Sequence, residues 1–74
     1  MSTQHVVTRA DISKSIKSHR EAKGWSRNEL GRRAGIGCRN IAYWERERGE
    51  PDITAFVKLA SALDISLDEL AGLT

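Results

Sequence analysis

Arg39, Asn40 and Tyr43 are the side chains here whose chemistry suits the edge of a base pair. They stand with Cys38 in a continuous stretch from Gly24 to Arg48, GWSRNELGRRAGIGCRNIAYWERER. A planar guanidinium fits guanine O6 and N7, a carboxamide fits adenine N6 and N7, and a tyrosine one turn further on can touch a thymine methyl or a phosphate. An exposed arginine in an arbitrary protein is more often just a solvated charge, so these residues matter only if one helix presents them together. Projection at about 100° per residue does so: Ile41, Trp44 and Glu45 share one arc, Arg39, Tyr43 and Arg46 the opposite one, with Asn40 at its edge.

Other chemistry is thinly supported. No nucleophile with a base, carboxylate pair or phosphate-cradling glycine loop can be assembled, so an enzyme is not expected. His5 and His19 lack companions at metal-ligand spacing and Cys38 is distant from both in sequence, so neither a metal nor a cofactor is expected. Cys38 near a helix start could be a redox-active thiol, but a small, half-buried or thymine-facing residue is the better reading. Trp25 and Trp44 fall at core-facing positions rather than on a stacking platform.

The elements that must hold this stretch repeat one pattern: an apolar residue, a capping residue, an acid three positions later and a second apolar residue. Val7, Thr8, Asp11 and Ile12 open helix one, which buries Ile12 and Ile16 and stops at Gly24. Trp25, Ser26, Glu29 and Leu30 open helix two, a capping box over about Arg27 to Ala34, ended by Gly35. Ile36, Gly37 and Ile41 open helix three, with a glycine cap that has no side-chain acceptor. Pro51 and Asp52 precede helix four, with an apolar arc of Ile53, Phe56, Val57, Ala60 and Leu63. Ile65, Ser66, Glu69 and Leu70 open a short helix five that ends near Gly72. No useful stretch alternates as a strand would. The expected fold is all-α, five short helices in one domain over residues 8–74, preceded by a loose arm over residues 1–7.

The 74 residues carry a formal net charge of +2, unevenly spread. Residues 1–48 sum to +6 and residues 49–74 to −4, which points to a polyanion partner for the first two thirds. With 39% hydrophobic and 30% charged residues, no signal-peptide core and no apolar run near the roughly 18 residues a bilayer requires, a soluble, cytoplasmic chain with no membrane partner is expected. A single cysteine fits a reducing compartment.

Over about Ile12 to Leu70 the chain resembles the phage-repressor and Cro-like helix-turn-helix family, also called lambda-repressor-like or Xre. The resemblance is carried in one ungapped register by Gly24, Ser26, Glu29, Leu30, Ala34-Gly35, Ile41, Trp44-Glu45, Pro51 and Leu59-Ala60. It implies a five-helix domain with helix three in the major groove and the N-terminus of helix two on a phosphate. By position, Cys38, Arg39, Asn40 and Tyr43 correspond to base-facing residues, and Arg27 to a helix-two position that is usually glutamine. Ser26, Arg27, Arg46 and Arg48 are expected on the DNA backbone. Arg20 and Glu45 correspond to a structural salt bridge between helices one and three. Gly37 replaces the usual Ser or Thr cap, His19 a leucine and Gly31 an alanine. Glu47 stands where a glycine normally ends helix three, so that helix is expected to run on toward Arg48 and stop at Gly49.

The function expected is a sequence-specific regulator of transcription, a repressor binding duplex DNA as a homodimer. The acidic, apolar C-terminal segment with Leu67, Leu70 and Leu73 is the candidate dimer or protein-partner surface. The alternative is an antitoxin or bridging module that binds mainly protein.

Overall fold

A computed structural model describes residues 6–73, and these form five helices: α1 (Arg9–Ala22), α2 (Arg27–Ala34), α3 (Cys38–Glu45), α4 (Ile53–Leu63) and α5 (Leu67–Ala71). There is no strand among the described residues. Of the arm expected over residues 1–7, residues 1–5 lie outside the described part, while Val6 and Val7 have no regular structure. Helix α3 packs on α1 and α2, α5 on α1 and α4, and α4 in turn on α2 and α1.

Capping residues start the helices where expected, but one capping box is incomplete. Thr8 and Ser66 form reciprocal boxes with Asp11 and Glu69, and Asp52 caps α4 through the Ala55 amide. At α2 only half the expected box exists. The Ser26 Oγ accepts from the Glu29 amide at 3.0 Å, but the Glu29 carboxylate turns outward to Arg32 and Arg33. Two cations on its own helix outbid one backbone amide for that carboxylate.

Each helix is closed by a residue in or leading to the left-handed region: Gly24, Gly35, Glu47, Asp64 and Gly72 all have positive φ. The next residue donates its amide back to the last turn, as Trp25 does to the Arg20 carbonyl and Ile65 to the Ala60 carbonyl. The expected extension of α3 to Arg48 therefore does not occur. Glu47 takes φ 59° in place of a glycine, and the amides of Glu47 and Arg48 return to the Trp44 and Tyr43 carbonyls. The two hydrogen bonds hold a side-chain-bearing residue in a conformation that costs about 1 kcal/mol.

The core consists of Ile16, Leu30, Ala34, Ile41, Trp44, Leu59, Ala60, Leu63 and Leu70, with Ile12, Trp25, Ile36 and Phe56 partly buried against it. Each fully buried Leu or Ile contributes roughly 1.5–3 kcal/mol. Two apolar assignments fail. Ile53 and Val57 are exposed, and α4 buries Leu59 instead, so its core face is rotated toward Leu59, Ala60 and Leu63. Leu70 is wholly buried, which removes it from the C-terminal surface and leaves Leu67 and Leu73 exposed there.

One carboxylate joins the three N-terminal helices. The Glu45 side chain is entirely buried at the end of α3. Arg20, from the last turn of α1, donates to it through Nε at 2.7 Å and Nη2 at 3.0 Å, and its Nη1 donates to the Trp25 carbonyl. Arg27, the first residue of α2, donates its Nε to the same carboxylate at 2.9 Å. Burial by itself would raise the Glu45 pKa and is the largest single influence, but the hydrogen bonds from Arg20 and Arg27 together hold it below the usual glutamate value. The same hydrogen bonding, opposed by burial, raises the Arg20 pKa. Beside this cluster the buried Ser13 hydroxyl lies 2.7 Å from the Trp44 carbonyl and 2.8 Å from that of Glu45, and donates to the free end of α3.

Two consequences can be measured by thermal melting. Glu47→Gly should stabilise the fold by roughly 0.5–1 kcal/mol, a rise of a few degrees in midpoint, because the left-handed position no longer carries a Cβ; a lower midpoint would contradict the strain assigned there. Because the folded pKa of Glu45 is depressed, its contribution is present above the unfolded glutamate pKa of about 4.3 and is lost as pH falls through the folded value. Midpoints should therefore fall in acid below about pH 4, and Glu29→Gln should keep most of that fall, since Glu29 pairs at the surface. A fall abolished by Glu29→Gln would place the acid sensitivity there instead.

Candidate nucleic-acid interface

The face of α3 turned away from Ile41 and Trp44 carries Arg39 and Tyr43, with Asn40 beside them, and all three are exposed. Cys38, the first residue of α3, is exposed too. Arg46 caps the C-terminal end of the helix and Arg48 follows it, both open to solvent. Arg39, Asn40, Ala42, Tyr43, Arg46 and Arg48 line a shallow concavity of about 560 Å³. Arg39, Asn40 and Tyr43, expected to meet bases, and Arg46 and Arg48, expected to meet backbone beyond them, are thus brought to one surface, whereas Cys38 is exposed but does not line the concavity.

Their charge is uncommitted. Arg9 pairs with Glu50, Arg20 and Arg27 with Glu45, and Arg32 and Arg33 with Glu29. Arg39, Arg46 and Arg48 meet no carboxylate among the described residues, and all three border α3. Glu29 shows the contrast: hydrogen bonds from Arg32 and then Arg33 hold its pKa below the usual value, so both arginines of that part of α2 share one carboxylate.

The start of α2 forms a second, smaller part of the surface. Ser26 is exposed, and Lys17, Ser26, Arg27 and Asn28 line a depression there together with Arg20 and Glu21. Arg27 was expected to face a phosphate. Its Nε is instead engaged by Glu45, while its terminal nitrogens make no hydrogen bond among the described residues and its side chain remains 36% exposed. The residue is therefore pinned at one end and open at the other. The pairing escaped sequence reasoning because Arg27 and Glu45 lie on different helices and only packing brings them together.

Two glycines shape how α3 is presented. A Cβ at Gly31 would lie 2.5 Å from the Ile36 carbonyl oxygen, so the absence of a side chain is what lets α2 approach the corner so closely. That explains the departure from alanine at this position: here the corner is drawn tight against α2, and its oxygen cannot move as a flexible side chain could. Gly37 caps α3 with no side-chain hydrogen bond, so the beginning of α3 is held by its neighbours rather than by its own cap. Ser13, which meets the carbonyls at the end of α3, is a further residue that pattern reading missed. A lone serine on an amphipathic helix carries no signal until its carbonyl partners on α3 are known.

Trp44 is buried as expected, whereas Trp25 is only half-buried, with the Arg33 guanidinium 4.4 Å from its ring centroid. No group of three or more His, Cys, Asp or Glu that could hold a metal ion is present among the described residues, and no helix there is long and apolar enough to cross a membrane.

Comparison with known proteins agrees with this geometry. The helix-turn-helix family matches residues 16–70. The HTH-type transcriptional regulator ImmR of Bacillus subtilis (strain 168) is 30% identical over 61 residues, 82% of this chain. The chain spans about half, 48%, of the length of ImmR. Antitoxin HipB of Escherichia coli (strain K12) is 27% identical over 67 residues, covering 90% of this chain and 76% of HipB. Among solved structures, the restriction-modification controller protein C.AhdI from Aeromonas hydrophila superposes with a TM-score of 0.80 at 29% identity, over 84% of this chain and 94% of that one. The P22 c2 repressor, crystallised with a synthetic operator, gives 0.78 at 27% identity, over 85% and 96%. The five-helix order, the α2–α3 corner and the match over most of its length establish that the chain belongs to the helix-turn-helix family of lambda-repressor-like, Xre type, a family of DNA-binding regulators rather than enzymes.

Proposed function

We propose that this chain is a sequence-specific regulator of transcription, a repressor that binds duplex DNA as a homodimer with α3 in the major groove. The observation that carries the reading is the distribution of arginines: those without a carboxylate partner among the described residues, Arg39, Arg46 and Arg48, all line the concavity on the exposed face of α3. An unpaired surface charge costs little in water and becomes favourable against a phosphate through released counterions. Arg39 and Asn40 supply base-edge donors and acceptors, Tyr43 a flat apolar contact, and Cys38 a small group at the helix start. Ser26, Arg27, Arg46 and Arg48 supply backbone contacts that position without reading. The P22 c2 repressor, a structural neighbour, is seen with an operator.

A homodimer would place two α3 helices about 34 Å apart on successive turns of the groove. The exposed Leu67 and Leu73 near the C-terminus, and Ile53 and Val57 on α4, are apolar side chains available for such a contact. They also support a second reading, a module that binds chiefly protein, in line with a relative named as an antitoxin. A cytoplasmic location accords with a DNA partner.

Mobility shifts on duplexes enriched from a randomised pool, repeated across salt, test the reading. A specific complex should form and weaken steeply with salt. Arg39→Ala should cost about 1–3 kcal/mol and relax preference at one base pair, whereas Arg46→Ala should weaken all sequences similarly and flatten the salt slope. No duplex enriched at low salt, or a sequence preference untouched by Arg39→Ala, would reject the roles given to this face.

A further inference from the structure

Gly49 has no backbone reason to be glycine. Its φ is not in the left-handed region, and the residue that ends α3 in that conformation is Glu47. It also lies outside every helix. What it provides is space: a Cβ at Gly49 would stand 2.7 Å from Cε2 and 3.3 Å from Cδ2 of Tyr43. The turn at Glu47, held by the Arg48 amide on the Tyr43 carbonyl at 3.0 Å, folds the chain back so that residue 49 lies against the aromatic ring.

We propose that Gly49 is a positioning residue for DNA recognition, acting through Tyr43: it seats the ring as a fixed wall of the concavity shared with Arg39, Asn40, Arg46 and Arg48. This rests on the function proposed above and assigns to it a determinant outside α3. A tyrosine that is 53% exposed would ordinarily sample several rotamers, and binding would have to freeze them. Packing against a backbone without a side chain restricts the ring beforehand, so less freedom is lost on the DNA. A Cβ at position 49 must push the ring, because its three nearest atoms all belong to the Tyr43 side chain at the surface rather than to backbone or core. The fold therefore tolerates the change while the wall moves.

The test uses the full chain and the duplex it enriches most strongly from a randomised pool. Gly49→Ala should keep its melting midpoint within a few degrees and bind that duplex about two- to tenfold more weakly, the range expected for one side chain that must now be ordered on binding. In a Tyr43→Ala background the same substitution should have no further effect, a non-additivity that a merely structural role for Gly49 would not produce. In the free protein, the ring protons of Tyr43, the single tyrosine of the chain, should show NMR cross-peaks to the Gly49 α-protons and move on Gly49→Ala. Wild-type affinity in Gly49→Ala, an equal loss in both backgrounds, absent cross-peaks, or unfolding of Gly49→Ala would each overturn the proposal while leaving α3 as the reader. Failure of the wild-type chain to enrich any duplex would instead reject the DNA reading itself, and this role with it.

Discussion

The Glu45 carboxylate is the group on which the arrangement of the N-terminal three helices depends. It sits at the end of α3 with its side chain wholly buried, and it is shared by Arg20 of α1 and Arg27 of α2. Burying a carboxylate costs several kcal/mol, and its cations repay this only with good geometry, so such a cluster adds little to stability over a well-packed apolar one. Its contribution lies in direction. Arg20 addresses both carboxylate oxygens, and its remaining nitrogen holds the loop before α2 through the Trp25 carbonyl. Ser13 meets the carbonyls at the same end of α3. Of the two ends of that helix, the C-terminal one is tied down by side chains, and the N-terminal one, capped only by Gly37, is held by the tight corner at Gly31.

This explains how an eight-residue helix can serve as a rigid presenting surface. Alone it would be too short to persist in water. Ile41 and Trp44 bury one face, Glu45 fixes one end, and the residues left over are those that face outward. Charge follows the same division. Carboxylates at Glu29, Glu45 and Glu50 pair with the arginines that build the domain, and among the described residues none pairs with Arg39, Arg46 or Arg48. The net charge of +2 conceals this, because it does not say where opposite charges fail to meet.

Much of the fold was legible in the sequence because helix boundaries are set by local chemistry. Thr8, Ser26, Asp52 and Ser66 cap helices, and Gly24, Gly35 and Gly72 close them, with partners a few residues away. Long-range geometry was less legible. Periodicity on α4 favoured Ile53 and Val57 over Leu59, because an arc of apolar residues wider than the buried face does not reveal which of its edges meets the core. The Glu29 box and the end of α3 at Glu47 turned on competition between alternatives that sequence leaves open: two arginines against one amide, and two backbone hydrogen bonds against the strain of a positive φ. For the candidate site, Arg39, Asn40, Tyr43 and Arg46 were singled out by helical projection and family register and Arg48 as a neighbouring cation, and these five do share a surface. Ser13, the pairing of Arg27 with Glu45, and the seat of Tyr43 on Gly49 each join residues that only the packed chain brings together.

On the function proposed, the outward face of α3 meets duplex DNA while the opposite side of the domain does not. That contrast is tested most directly by titrating isotopically labelled protein with an enriched duplex and following backbone and side-chain NMR signals. The account predicts that the largest changes fall at Ser26, Arg27, Cys38, Arg39, Asn40, Tyr43, Arg46 and Arg48, with little at Ile53, Val57 or Ala62 under conditions where the oligomeric state does not change. Changes concentrated on α4 and α5, with Arg39 and Asn40 unmoved, would contradict it.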